Sequence, residues 1–148
     1  MIGSDAENPA RLDAMDVMGD VVWHQTDIVQ AKKSAGRWTV HVAEEGEYRF
    51  RLRRWPEELD LPIEAGVSPE EASRHIYAPD TATCSIIAPA RAELKIFDYE
   101  KIMPVEAGAR EITFKLHLTQ KGMTQLEAWF LDNNNERYGA YYVYVERL

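Results

Sequence analysis

The sequence is poor in cysteine and in positive charge, and each shortage excludes a class of protein. Its single cysteine, Cys84, cannot form an internal disulfide and cannot build a cysteine-rich zinc site. Its 17 Lys and Arg residues face 25 Asp and Glu residues, and the net charge of −8 disfavours duplex nucleic acid, because phosphate binding needs clustered positive charge. No apolar run approaches the ~20 residues of a membrane helix, and no signal-peptide pattern is visible. We therefore expect no nucleic-acid partner and no membrane partner.

What the sequence does contain is enough apolar material for a core. Hydrophobic residues make up 45% of its 148 residues, and charged residues make up 28%. This balance is unlike that of disordered chains, and the length is typical of one globular domain. The apolar neighbours Ile86 and Ile87 favour a buried structural thiol for Cys84 over a reactive one.

From residue 37 onward, apolar and polar residues alternate with a period of two, which is the pattern of half-buried β-strands. Turn residues such as Glu45-Gly46, Lys121-Gly122 and the Asp132–Asn135 run separate the alternating segments. Strands are predicted over residues 37–42, 47–55, 84–88, 92–97, 111–118, 126–131 and 139–146. Short strands at this spacing indicate an all-β fold, an antiparallel β-sandwich formed by residues 37–148.

Two segments depart from the strand pattern. Residues 1–36 have no sustained periodicity, and we predict an irregular lead-in that packs on the domain, with Leu12, Met15 and Met18 spaced for a helical turn. Within the loop-rich region 57–83, Ser68 and Pro69 with the glutamates that follow resemble a helix start, so a short helical turn is expected over 69–75.

A search for catalytic patterns finds none. The four histidines stand at no metal-ligand spacing, and the nucleophile-elbow, zinc-protease and EF-hand patterns are absent. No strand–loop–helix unit with a glycine-rich phosphate loop is present either. The sequence therefore predicts no catalytic residue and no metal ligand.

The string Arg53-Arg54-Trp55-Pro56 stands out at the end of a predicted strand. Alternation places Arg54 on the core face, where a charge is costly unless it is paired. One interpretation is a salt bridge at the rim with Glu57 or Glu58. The other is a guanidinium and an indole that are presented to a partner or a sugar.

The last strands form the second unusual feature, because both of their faces are apolar. Trp129 lies opposite the core face of its strand, and Tyr142 and Tyr144 lie opposite Tyr141, Val143 and Val145. A half-exposed antiparallel strand normally has one polar face, so something is expected to cover this sheet. The cover could be the first 35 residues, a second subunit or a missing domain.

Several segments together resemble the C-terminal region of bacterial arylsulfatases, in the order that this family has them. They are residues 2–9, 36–40, 46–58 and 139–147, and the most specific is the G-x-Y-x-F-x-L-R-R-W-P string over 46–56. In the family, a large N-terminal α/β domain hydrolyses sulfate esters with a formylglycine made from a C/S-x-P-x-R motif beside a calcium ion. The nearest string here, Cys84 to Arg91 through Pro89, has the wrong spacing, so no catalytic residue carries over.

The resemblance implies a noncatalytic C-terminal accessory domain of a sulfatase, a sulfuric ester hydrolase, that docks on the catalytic domain and shapes substrate access. The residues expected to make interdomain or sugar contacts are Arg53, Arg54, Trp55, Trp129, Tyr142 and Tyr144. We expect no cofactor in this chain, calcium only in the catalytic domain, a possible sulfated glycan as a further partner, and a periplasmic or secreted location.

Two other functions remain open. The tryptophans Trp38, Trp55 and Trp129 and the tyrosines also suit a carbohydrate-binding β-sandwich module, although fold analogy alone does not establish function. The least favoured interpretation is an enzyme in its own right.

Overall fold

The chain folds into two antiparallel β-sheets that pack on each other, as a computed structural model shows for residues 1–14, 16–18, 35–66 and 86–148. This architecture confirms the all-β antiparallel sandwich that the sequence predicts, and the described residues contain no helix. The helical turn predicted over 69–75 and the thiol of Cys84 lie outside the described residues.

Nine strands are described, and they divide between a four-stranded and a five-stranded sheet. Their bounds are β1 Ala10–Asp13, β2 Arg37–Val42, β3 Gly46–Arg53, β4 Arg91–Ile96, β5 Tyr99–Pro104, β6 Ile112–Leu118, β7 Gly122–Leu131, β8 Arg137–Gly139 and β9 Tyr142–Arg147. The first sheet has the order β1-β9-β3-β6. The second has the order β2-β7-β4-β5, and β8 pairs with β7.

The core lies between the sheets and follows from the period-two alternation of the strands. On β3, Tyr48, Phe50 and Leu52 are fully buried, whereas Arg49 and Arg51 between them are partly exposed. Phe114 on β6 lies directly opposite Phe50 and is also fully buried. Since side chains alternate between the two faces of a strand, one apolar face per strand is enough to close the sandwich.

The N-terminal segment is part of the sandwich and contacts both sheets. Leu12, which the sequence suits for a helical turn, lies in β1, which pairs antiparallel with β9. Ile2 is fully buried and forms a bridge with Val42 at the end of β2 in the other sheet. The segment forms a strand, where the sequence suits a helical turn, because this edge of β9 would otherwise be unpaired. An unpaired strand edge offers backbone partners even to a short segment that has no strong periodicity.

The remaining differences from the predicted strands occur where alternation is weak. β5 was not predicted because Glu100, Lys101 and Ile102 are all exposed, so no apolar period marks it. The three-residue β8 is equally unmarked, and β9 begins at Tyr142 and not at 139. Residues 86–88 of the strand predicted over 84–88 are not in a strand, and the rest of it lies outside the described residues.

Candidate functional site

Arg54 and Trp55 fasten the loop that follows β3. The guanidinium of Arg54 lies 4.6 Å from the centre of the Trp55 ring. Arg54 Nη1 and Trp55 Nε1 donate to the same carbonyl oxygen, that of Ala65, at 3.2 and 3.0 Å. Both side chains are at most 1% exposed. They therefore hold residues 56–65 against the sandwich and do not present a guanidinium or a ring to solvent.

The carboxylates that the sequence offers to Arg54 at the rim pair with other arginines. Glu57 is bound by Arg51, and Glu58 Oε1 lies 3.4 Å from Arg11 Nη1. Arg51 extends from the outer face of β3, and Arg11 extends from β1. The loop after β3 is thus tied to the outer face of the four-stranded sheet by ion pairs.

A cleft of about 550 Å³ opens beside this loop, at the end of β3. Its lining consists of Arg51, Arg53, Glu57, Asp60, Gly108, Arg110 and Glu111. Asp60 is the central acceptor: its Oδ1 lies 2.9 Å from Arg53 Nη2, and its Oδ2 lies 3.2 Å from Arg110 Nη1. One carboxylate therefore joins two guanidiniums that come from different parts of the chain. We call this place the arginine cleft.

The arginine cleft is balanced in charge but uneven in burial. Three arginines and three carboxylates line it. The side chain of Arg53 is only 5% exposed, whereas that of Asp60 is 64% exposed. Arg53 Nε is buried without a hydrogen bond, and a carboxylate oxygen of Glu111 lies 3.7 Å away. A buried guanidinium is thus neutralised mainly by a carboxylate that water reaches easily.

The outer side of β9 is covered by the chain's own arginines. The Arg11 guanidinium lies 5.0 Å from the Tyr142 ring centre, and that of Arg51 lies 5.2 Å from the Tyr144 ring centre. The backbone N–H of Glu57 donates to the Tyr144 hydroxyl at 3.1 Å. Burial raises the pKa of Tyr142 to about 12. The second apolar face of this strand is therefore closed within the chain, partly by the N-terminal segment through Arg11.

Trp129 lies on the other sheet, apart from the remaining predicted residues. It is on the outer face of β7, where Arg137 lies 4.2 Å from its ring centre. Its Nε1 donates to Glu127 at 3.3 Å, and the residue is 8% exposed. In the same cross-strand row, Glu93 on β4 separates Trp129 from Ile102 on β5.

The structure thus divides the six predicted residues among four places. Arg53 lines the arginine cleft, Arg54 and Trp55 fasten a loop, Tyr142 and Tyr144 lie under arginines, and Trp129 lies on the five-stranded sheet. Sequence analysis did not single out Arg51, Asp60, Arg110 and Glu111. The available signal was the run of outward arginines at 49, 51 and 53, which needs compensating carboxylates nearby.

The guanidiniums of the arginine cleft are donors of the kind that bind anions with two or more oxygens, and in this structure carboxylates of the chain pair with them. Within the described ranges, no group of three or more His, Cys, Asp or Glu residues could hold a metal ion. The described residues also include no helix of the length and apolarity that would cross a membrane.

Comparisons with protein-family models, with curated proteins and with solved structures find no match to this chain.

Proposed function

We propose that this chain is a noncatalytic accessory β-domain of a sulfatase and that it docks on the catalytic domain of that enzyme. The observation that carries the proposal is the structural role of the G-x-Y-x-F-x-L-R-R-W-P string. Tyr48, Phe50 and Leu52 fill the core, and Arg54 and Trp55 fasten the next loop. These five residues of the string build the core and fix a loop, which fits an accessory role.

The outer face of the five-stranded sheet is the docking surface that we favour. The outer side of β9, which the sequence analysis offered for this purpose, is closed by Arg11 and Arg51. On the five-stranded sheet, by contrast, Ile102 and Met123 are 56% and 66% exposed among polar neighbours. Interfaces between domains of one chain are more polar than obligate interfaces, so a mixed surface of this kind suits the role.

The first test is to determine the genomic DNA sequence upstream of residue 1 and to translate it in the same reading frame. We expect a C/S-x-P-x-R motif in the same frame, within a segment of a length that suits an α/β domain. A stop codon directly upstream, with no sulfatase gene beside it, would argue against the proposal. A second test is enzymatic: the purified chain alone should release no sulfate from a chromogenic aryl sulfate, and release would refute the noncatalytic role.

A third test addresses the docking surface in the protein that contains both domains. The double variant Ile102→Glu, Met123→Glu should lower the temperature at which sulfatase activity is lost, because it places two charges in the interface. Lys115→Glu on β6 is the matched control, since Lys115 is exposed on the outer face of the other sheet. Equal effects of the double variant and the control would contradict docking through this face.

The carbohydrate-binding module stays a prediction, with less support than the sequence alone gives it. Trp38 and Trp55 are 1% exposed, and Trp129 is 8% exposed beneath Arg137. None of these three rings offers an open face on which a sugar could stack. Calorimetric titration of the chain with a sulfated glycan and its unsulfated form tests the module directly, and heat from both would support it.

A further inference from the structure

Asp60 holds an unusual position for an exposed carboxylate. Its two oxygens contact two separate guanidiniums, Arg53 at 2.9 Å and Arg110 at 3.2 Å. Its backbone has a φ of 46°, in the left-handed region that residues other than glycine enter at a cost. Aspartate tolerates this region better than most residues, and here the turn brings its carboxylate between the two arginines.

The same geometry is what an external oxyanion would require. Guanidinium groups bind carboxylates and related anions through paired N–H donors, and such charge-assisted hydrogen bonds are the strong ones. Arg53 Nε, buried and without a hydrogen bond, adds a donor that Asp60 does not use. Arg51 lines the same cleft but is paired with Glu57 and Glu111, so Arg53 and Arg110 are the two charged donors that face Asp60.

Asp60 is also the residue of the site whose side chain has room to move away from the two arginines. Its side chain is 64% exposed, whereas that of Arg53 is 5% exposed. Water can hydrate the Asp60 carboxylate when it leaves the pair, but the buried Arg53 guanidinium needs a partner, and a competing anion in the same place would supply one. Turning the Asp60 side chain into solvent would leave the position between Arg53 and Arg110 open.

We propose that the arginine cleft is an oxyanion-binding site, and that Asp60 is an internal ligand that an external sulfate or carboxylate group displaces from Arg53 and Arg110. Two sources share this chemistry, a sulfate group of a small molecule or glycan and a carboxylate side chain of a polypeptide. The site uses residues of this chain alone, so its test is independent of docking to a catalytic domain.

The experiment is calorimetric titration of the full chain with sodium sulfate and, separately, with sodium acetate, at an ionic strength held constant with chloride. In Asp60→Asn the internal ligand loses its charge with almost no change in shape. We expect this variant to bind the anion about fivefold tighter than the wild type, which corresponds to ~1 kcal/mol for the displaced ion pair. A larger response to sulfate identifies the sulfate source, and a larger response to acetate identifies the carboxylate source.

Arg110→Gln supplies the loss-of-binding variant, because Arg110 is half-exposed and its replacement should leave the fold intact. In the Asp60→Asn background it should weaken binding about tenfold, as removal of one of two charged donors implies. Arg37→Gln is the matched control: it removes the same charge from an exposed arginine on the five-stranded sheet, and binding should not change. The proposal is overturned if Asp60→Asn binds no more tightly than the wild type, if Arg110→Gln behaves like Arg37→Gln, or if no variant binds either anion.

Discussion

At the scale of single residues, the Ala65 carbonyl connects the loop after β3 to the core. It accepts hydrogen bonds from both Arg54 and Trp55. We expect Trp55→Phe to lower the free energy of unfolding by about 1–3 kcal/mol, because it removes one buried donor and leaves a gap beside Arg54. Urea unfolding followed by circular dichroism measures this change.

Trp129→Phe is the comparison for Trp55→Phe, because it also removes an indole N–H. The acceptor of Trp129 is the carboxylate of Glu127, whose side chain is 21% exposed, so water can replace the lost donor. Its cost should therefore be smaller. A greater loss for Trp129→Phe than for Trp55→Phe would show that the Ala65 contact is not the anchor described here.

A second prediction at this scale concerns stability in alkaline solution. Burial raises the pKa of Tyr142 from 10.0 to about 12, and it raises the pKa values of Tyr48 and Tyr144 as well. Between about pH 10 and pH 12 the unfolded chain loses tyrosine protons that the folded chain keeps, so stability falls as the pH rises. A shift of this size corresponds to about 2–3 kcal/mol for Tyr142.

Tyr142→Phe isolates the contribution of that hydroxyl to the alkaline loss. Urea unfolding at a series of pH values should give a shallower decline for the variant than for the wild type. Well below pH 10 the two proteins should show parallel pH dependence, since the phenol is protonated in both the folded and the unfolded state there. Identical declines above pH 10 would rule out Tyr142 as the group responsible.

At the scale of strands, the start of β2 depends on a close backbone approach at Gly36. A Cβ on this residue would overlap the carbonyl oxygen of Ala128 and the Cα of Gly139. Both contacts are backbone, so no side chain can move aside, and we expect Gly36→Ala to cost about 1–3 kcal/mol. Thermal unfolding measures the effect.

Gly108→Ala is the control for Gly36→Ala. A Cβ at Gly108 would meet no atom, and only the positive φ of 79° would oppose it. That strain is worth roughly 1–2 kcal/mol. If Gly108→Ala proved the more damaging of the two, the close approach at Gly36 would not be what limits substitution there.

Strands also show how much of the fold the sequence could predict. β2, β3, β4, β6 and β7 were each predicted within a few residues, because one face of each is buried and alternation marks it. β1, β5 and β8 were not, because they are defined by backbone pairing with a neighbouring strand and not by their own apolar period. Pairing of this kind depends on the tertiary fold, which no local pattern encodes.

The candidate site was less predictable than the fold, for a related reason. Arg53 could be singled out because it stands in a distinctive string. Asp60 and Arg110 are ordinary charged residues in turns, and they become partners only when the loop after β3 approaches the β5–β6 connection. The sequence suggested that Arg54 and Trp55 could contact a partner. Both instead donate hydrogen bonds to the carbonyl of Ala65, which is ten or more residues away along the chain and so is not marked by a local pattern.

At the scale of the whole molecule, the N-terminal segment joins the two sheets. Trp38 on β2 donates its indole N–H to the carbonyl of Asp13 at 2.8 Å, and β1 pairs with β9 in the other sheet. Ile2 extends this link, since its N–H donates to His41 and its carbonyl accepts from Ala43. A segment without apolar periodicity is thus fixed by backbone hydrogen bonds and by two fully buried side chains, those of Ile2 and Ala14.

Ile2→Ala tests whether this link contributes to global stability. Ile2 is fully buried in the core between the sheets, so the truncation should cost about 2–4 kcal/mol in urea unfolding. Hydrogen exchange should show faster exchange of the β9 amides as well as of the β2 amides, because the segment holds both strands. Glu7→Ala, at an exposed position of the same segment, should leave both measurements unchanged. If Ile2→Ala destabilises only β2, the segment is an attachment to one sheet and not a connection between two.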